Sequence, residues 1–450
     1  MKPSRYNHFF PYSDTQCIAY NALTNSLALI EKPKLDAYRA YCDNGTPLPE
    51  DLVTDLKKGL FLLEDHVDEL DTLRYNMLRG RYATDSISLT IAPTNDCNFR
   101  CVYCYEKDAI TSKYMSQEVQ DKLVELLESR KDLISSFGVT WYGGEPLMAF
   151  DVMESLSRRF IEICKENNIM YQTNMITNGY LLSREVLARM QDLCLSHIQV
   201  TIDGLPEVHN QNRPLVGGGD TFDTIINNLK DGYDLLPPVA LRINIDKNNI
   251  SAGENIYKLL HDNNMLEKVR PYFGKIIDDA GTHDSSLCLT GCDFSEIEFD
   301  FFQRTVGDEE RGPTQYPSLK SAFCGADCVS SQVIDAEGWM YKCWCDIGIP
   351  ERRVGSIIEK DYIATSDLLF KYMLYDPTTC DMCKDCDVLP ICMGGCPFKR
   401  LSGSVDNCVN HKYILEKCLR DSVVAFQRMR KQAEEHKDKA CDCGPNSCES

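Results

Sequence analysis

Cys97, Cys101 and Cys104 stand in the segment APTNDCNFRCVYCYE with the spacing C-x3-C-x2-C. Three thiolates on so short a loop can grip three corners of a [4Fe-4S] cube, because a cubane takes soft, convergent ligands and few residues are needed to wrap it. One iron is then left without a cysteine, and an open coordination position can accept an external ligand. A zinc site that borrows a distant fourth thiolate is the other chemistry this loop could support.

A second set of thiols follows residue 320: Cys324, Cys328, Cys343, Cys383, Cys386, Cys392, Cys396 and Cys408. Within it Cys383, Cys386, Cys392 and Cys396 are spaced C-x2-C-x5-C-x3-C, and Gly338 precedes Cys343 as G-x4-C. Cys345, Cys380 and Cys418 are extra thiols in the same region, and zinc ribbons are the alternative to iron. The chain has 23 Cys in 450 residues, and its first ten residues, MKPSRYNHFF, lack the basic and apolar core of a signal peptide. No run approaches the roughly 18 apolar residues of a membrane span. The expectation is a cytoplasmic metalloprotein, since disulfides are rare in reducing compartments. With 48 Lys+Arg against 68 Asp+Glu, the net charge of −20 repels nucleic acid and anionic membranes, so neither is an expected partner.

The elements that must position these thiols can be read from periodicity. Residues 1–85 combine short alternating stretches (16–22, 26–30) with helical patterns (33–42, 50–58, 67–79), a small α+β unit. From 86 to 280 strand and helix patterns alternate, with strands expected at 87–92, 137–142, 169–177, 198–203, 239–246 and 266–273. Six βα units predict a partial TIM-like barrel. Val239, Leu241, Ile243 and Ile245 alternate with Arg242, Asn244 and Asp246, and Ile198, Val200 and Ile202 with Gln199, Thr201 and Asp203. An apolar face against helices leaves the polar face in the lumen, as in an open barrel that holds a polar ligand. Residues 281–320 read as an acidic, irregular connector, 321–420 as a cysteine-bearing unit held together largely by metal, and 421–450 as a charged helix with a tail containing Cys441, Cys443 and Cys448.

The first cysteine motif, placed directly after the first barrel strand, resembles that of the radical SAM enzymes. Gly143, Gly144 and Glu145 in WYGGEP, one βα unit later, resemble the GGEP motif of that family. The spacing of the later cysteines is similar to the SPASM extension carried by many of its members. The resemblance covers residues 85 to 420, and before that only the element order is similar, to a winged-helix-like peptide-recognition domain. It implies three [4Fe-4S] clusters. One, on Cys97, Cys101 and Cys104, would bind S-adenosylmethionine through its open iron; Cys324, Cys343 and Cys396, with Cys328 a possible fourth ligand, would hold the second; Cys383, Cys386, Cys392 and Cys408 would hold the third. Tyr103 would lie beside the adenine. Glu145 would face the amino group, and Asn178, Asp203 and Arg242, at strand ends where barrel enzymes assemble their sites, would complete the pocket, with Arg242 near the methionine carboxylate.

The implied activity is reductive cleavage of S-adenosylmethionine and hydrogen abstraction from a ribosomally made, cysteine-containing precursor peptide, joined through a thioether. A leader segment would dock on residues 1–85, and reduced flavodoxin or ferredoxin would supply the electron. Formylglycine generation by an anaerobic sulfatase maturase and carbon-carbon crosslinking of a peptide are the enzymatic alternatives; an Fe-S electron-transfer or storage protein is the non-enzymatic one. No histidine stands in a recognisable motif, so no catalytic base is assigned.

Overall fold

The computed structural model describes residues 1–278, 284–305, 315–359, 366–404 and 407–441, with side chains to residue 434. The expectations for Cys443, Cys448 and the Cys441 side chain therefore lie outside the described residues.

The chain opens with β1 (Lys2–Pro3), β2 (Asn7–Pro11), β3 (Gln16–Asn21) and β4 (Ser26–Glu31), and β5 (Leu62–Leu63) pairs back on β1. The strands β2, β3 and β4 form an antiparallel sheet in that order. Helices Lys32–Asn44, Glu50–Lys58 and Glu69–Arg81 accompany it. The last starts where the Asp68 carboxylate accepts from the backbone N–H groups of Leu70 and Asp71, satisfying two of the free donors of the first turn. This is the small α+β unit that the periodicity predicts, with β2 as an added edge strand.

Six parallel strands follow: β6 (Ser86–Ile91), β7 (Ser136–Trp141), β8 (Met170–Thr177), β9 (Leu195–Thr201), β10 (Val239–Ile245) and β11 (Val269–Lys275). Intervening helices, among them Gln117–Glu128, Phe150–Glu166 and Phe222–Asp231, cover one face. Val239, Leu241, Ile243 and Ile245 are buried in the same core as Phe137, Phe160 and Leu229, so the apolar face packs on helices as expected. Each such side chain contributes about 1.5–3 kcal/mol on burial. The opposite face carries Thr201, Arg242 and Tyr272 in lateral register.

Two differences from the sequence reading bear on function. First, β12 (Ser331–Ile334) pairs in parallel with β6, and β13 (Trp339–Tyr341) and β14 (Gly355–Ser356) follow antiparallel, giving one nine-stranded sheet of order β11-β10-β9-β8-β7-β6-β12-β13-β14. The cysteine-bearing region is thus continuous with the barrel sheet through hydrogen bonds, not held by metal alone. Second, the stretch read as irregular connector contains the helix Gly291–Thr305, because Phe294 and Phe301 lie on one face, two turns apart, and are buried, Phe301 4.5 Å from Phe273 between ring centroids. The C-terminal helix also begins earlier than expected, spanning His411–Cys441, and it docks through Leu415, Leu419 and Val423 on Tyr6, Ile18 and Tyr20 of the N-terminal unit. Among the described residues no helix is long and apolar enough to cross a membrane.

Candidate functional site

The loop after β6 carries Cys97, Cys101 and Cys104, and a second segment clamps it. The N–H of Arg100 donates to Pro214 O, that of Val102 to Asn212 O and that of Val216 to Asn98 O, each at 2.9 Å. The short helix Pro206–Asn212 returns the chain to make this pairing. The three thiols lie close enough to influence one another, and burial first, then Glu145 and the neighbouring cysteines, pushes Cys97 up to about 12. Cys104 is likewise pushed up to about 12, by burial and then Glu106 and Cys101. Thiols so hard to ionise become thiolates only beside strong cationic charge, as bound iron supplies.

Gly143 and Gly144 act by close approach, but of backbone to backbone. A Cβ on Gly143, whose φ is +115°, would lie 2.5 Å from Thr94 O, and one on Gly144 would lie 2.2 Å from Asp96 O. The pair therefore brings the β7 loop against the segment leading into Cys97. Glu145 is fully buried, and its carboxylate accepts from Thr177 Oγ1 (2.7 Å), Asn178 N (2.8 Å) and Leu147 N (3.1 Å). Those three donors fill most of its acceptor capacity and brace the ends of β7 and β8. Asn178 reaches the cysteine loop itself, its Nδ2 donating to Asn98 Oδ1 at 2.8 Å.

The Tyr103 hydroxyl is the hub of the lumen. It donates to Asp203 Oδ2 (2.6 Å) and accepts from Arg213 Nη1 (2.9 Å) and Asn244 Nδ2 (3.0 Å). Arg213 is a residue the sequence reading missed, since one arginine in a loop carries no spacing signal. Burial opposes its charge, but Cys101, Tyr103 and Asp203 overcome that and hold it protonated. Arg242, expected near the methionine carboxylate, donates from its Nε to Asn244 Oδ1 at 2.7 Å and acts on Asp203 without forming an ion pair among the described residues.

These residues fit the polar ligand of such a loop. Asn95 Oδ1, Asn98 Nδ2, Asp203 Oδ1 and Arg213 Nε are buried without a hydrogen-bond partner, and each belongs to the cysteine loop or to a residue bonded to Tyr103. Buried polar atoms are normally paired, so four orphans around one loop mark a place where a donor- and acceptor-rich ligand completes the site.

The later thiols fall into groups. Cys324 lies near Cys343 and Cys396, and burial pushes it up to about 12. Cys343 lies beside Cys345. Cys328 lies next to Cys324, its Sγ donating to Cys324 O at 3.8 Å, and it also faces Asp327, Lys342 and Arg81. Cys383 lies with Cys380 and Cys392, beside the Tyr375 hydroxyl at 3.7 Å. The Cys386 sulfur accepts from Lys412 Nζ at 3.4 Å, and Cys408 also acts on that lysine. Cys418 sits among Glu298, Asp421 and Gln315 instead. Among the described residues no three His, Cys, Asp or Glu side chains converge as one metal ion requires. A four-iron cube is wider than a single ion and takes more widely spaced sulfurs.

Comparison with known proteins accords with this geometry. Residues 91–260 match the Radical SAM superfamily. Fe-coproporphyrin III synthase of Methanosarcina barkeri is 29% identical over 174 residues, which is 38% of this chain but 39% of that enzyme's length. A cysteine-type anaerobic sulfatase-maturating enzyme of Clostridium novyi is 24% identical over 365 residues, covering 74% of this chain and 95% of that one. Among solved structures, anSMEcpe with bound AdoMet shares the fold with a TM-score of 0.58 at 19% identity, covering 78% of this chain and 96% of that one. Streptococcus suis SuiB bound to the precursor peptide SuiA does so with a TM-score of 0.52 at 14% identity, covering 90% and 98%. The cysteine loop and the barrel around it therefore constitute a radical SAM domain, whose chemistry uses a [4Fe-4S] cluster and S-adenosylmethionine.

Proposed function

We propose that the chain is a radical SAM peptide maturase that joins a cysteine sulfur to a carbon of the same precursor peptide. In this reading Cys97, Cys101 and Cys104 hold the cluster that binds S-adenosylmethionine. Two auxiliary clusters sit in the C-terminal unit, one on Cys324, Cys343 and Cys396 and one on Cys383, Cys386, Cys392 and Cys408. When bound, the first cluster and S-adenosylmethionine supply the one-electron cleavage that permits hydrogen abstraction. Arg213 is suited to the methionine carboxylate, and Asp203 and the Asn95 and Asn98 amides to the remaining polar groups. Tyr103 holds Asp203, Arg213 and Asn244 in one orientation, so the lumen is organised before a ligand arrives.

The balance closes because S-adenosylmethionine would be the two-electron oxidant, its sulfonium C–S bond being broken to give methionine and 5'-deoxyadenosine. The peptide gives one C–H hydrogen to 5'-deoxyadenosine and one thiol proton to solvent, and gains a C–S bond. The electron that entered from reduced flavodoxin or ferredoxin is returned as that bond forms. The observation that carries the thioether reading is the grouping of Cys324, Cys343 and Cys396, which in this reading ligate without Cys328. Three thiols leave one corner of a cluster open to a substrate thiolate. The antiparallel sheet β2-β3-β4 offers a strand edge for a leader segment, and the fold of SuiB, solved with its precursor peptide, aligns over 90% of this chain.

The relative from Clostridium novyi favours a second reading, formylglycine generation. One experiment separates them. Anaerobically reconstituted protein is incubated with reductant, S-adenosylmethionine and cysteine-containing peptides encoded beside its gene, then assayed by mass spectrometry. A thioether retains the sulfur and consumes the thiol, whereas formylglycine loses the sulfur and leaves an aldehyde. Formation of an aldehyde overturns the thioether reading. Formation of 5'-deoxyadenosine by a Cys97, Cys101 and Cys104 to Ala triple variant overturns the site itself.

A further inference from the structure

Arg242 stands one residue removed from the cysteine loop, linked to Tyr103 through Asn244. Its Nε is bound to the neutral Asn244, and its lateral neighbour on β11 is Tyr272, whose hydroxyl donates to Gln199 Oε1 at 2.6 Å. The guanidinium lies beside the Tyr272 hydroxyl and stabilises its ionised form against burial. No carboxylate forms an ion pair with Arg242 among the described residues. The nearby acids have other partners: Asp203 Oδ2 takes the Tyr103 hydroxyl, and Glu298 Oε2 accepts from Asn410 Nδ2 at 2.7 Å and Gln315 Nε2 at 3.5 Å.

The backbone makes room for this cation. A Cβ on Gly274 would lie 2.3 Å from Arg242 Nε and 2.6 Å from Asn244 Oδ1, so a larger residue at that position on the edge strand would push the pair out of its present place. The Asp203 carboxylate acts on this cation without forming an ion pair with it, and a part-buried guanidinium with no carboxylate in contact is costly to leave so. With Nε taken by Asn244, the donors left on its terminal nitrogens, together with the adjacent Tyr272 hydroxyl, suit a carboxylate.

We propose that Arg242, with the Tyr272 hydroxyl beside it, is a carboxylate-binding subsite of the substrate chamber, so that the peptide presents an Asp or Glu side chain, or its terminal carboxylate, next to the abstracted hydrogen. This assignment rests on the peptide-maturase reading and adds the substrate class to it. It gives Arg242 to the substrate and leaves Arg213, which donates to Tyr103, for S-adenosylmethionine.

Short peptides provide the test. One set has a single Cys, one Glu or Asp and an amidated C-terminus; a second replaces the acid by Gln or Asn; a third is the second set with a free C-terminus. Each is titrated calorimetrically into reconstituted wild-type protein loaded with S-adenosylmethionine. Acidic peptides are expected to bind at least about tenfold more tightly than their amide twins, about 1.4 kcal/mol. Arg242→Gln is expected to abolish that preference and Arg242→Lys to restore part of it. A preference found only with the third set assigns the subsite to the chain end and still supports it. Equal affinities for acid and amide in the wild type overturn the proposal, a comparison that needs no variant to fold. A preference that survives Arg242→Gln also overturns it. The maturase reading is judged separately by crosslinking: acidic peptides bound tightly but never crosslinked leave the subsite standing and remove that reading, while acid and amide twins bound alike but both crosslinked do the reverse.

Discussion

Asn178 and Asn98, 80 residues apart in sequence, are joined by a 2.8 Å hydrogen bond that fixes the end of β8 to the residue after Cys97. The Asn178 Oδ1 also accepts from Tyr180 N at 2.9 Å, so the amide is held at both ends. Asn178→Ala leaves Asn98 with both polar atoms unpaired, because its Nδ2 already lacks a partner. The expected cost is about 1–3 kcal/mol. It should appear as a lower denaturant midpoint and weaker S-adenosylmethionine binding in anaerobic titrations. An unchanged midpoint and affinity would show that the loop does not depend on this bond.

Gly274 and Gly138 provide a contrast between two glycines on barrel strands. An added methyl at 274 collides with Arg242 and Asn244, whereas at 138 the nearest atom is Ile87 O at 4.0 Å. Gly274→Ala is expected to destabilise by about 1–3 kcal/mol, in the range of overpacking. Gly138→Ala should stay within about 0.5 kcal/mol. Urea unfolding of the two variants side by side checks the contrast, and equal effects would refute it.

The barrel strands and the cysteine loop were legible because their signals are local. Alternation in Val239 to Ile245 and tight thiol spacing do not depend on the rest of the chain. What stayed hidden depends on distant pairings. The joining of β12 to β6 brings residues 331–334 beside 88–91, a contact that four short residues cannot announce. Arg213 gains its place only because 212–216 pairs with the cysteine loop. Glu145 and the glycines were identified as important, but their contacts are with the protein backbone and Thr177. Spacing gives residues that belong together without telling which of them touch a ligand. The amphipathic character of Gly291–Thr305 was masked by its acidic residues, although Phe294 and Phe301 carry the burial.

Asp327 lies fully buried between two cations, 3.1 Å from Arg400 Nη2 and 3.6 Å from Arg81 Nη2. Arg81 ends the helix of the N-terminal unit and is 1% exposed, so this triad locks that unit to the cysteine-bearing region. The Arg400 guanidinium also lies 3.7 Å from the Tyr375 ring centroid. Removing the one anion leaves two buried charges uncompensated, which costs about 3–5 kcal/mol. Asp327→Ala should therefore lower the thermal midpoint strongly. Adding Arg81→Met to it should recover part of the loss, because one stranded charge is removed. A double variant less stable than the single one would contradict the electrostatic account.

Glu298 gives a pH-dependent prediction. Burial pushes its carboxyl up to about 7 from 4.5, with the Asn410 hydrogen bond opposing. Below about pH 4.5 the group is protonated both folded and unfolded and imposes no penalty. Between there and about 7 the unfolded chain ionises first, so stability associated with this residue is lost as pH rises, and above about 7 the loss is complete. Each pKa unit corresponds to about 1.4 kcal/mol, so the total is at most about 3 kcal/mol, reduced by the residue's partial exposure to solvent. Glu298→Gln keeps a neutral group that can accept from Asn410 and has no such dependence. Its stability relative to the wild type should therefore rise from pH 5 to pH 8, read from chemical unfolding of both proteins at each pH. A difference that stays constant across this range, or falls, would mean that Glu298 ionises at its ordinary value in the folded protein.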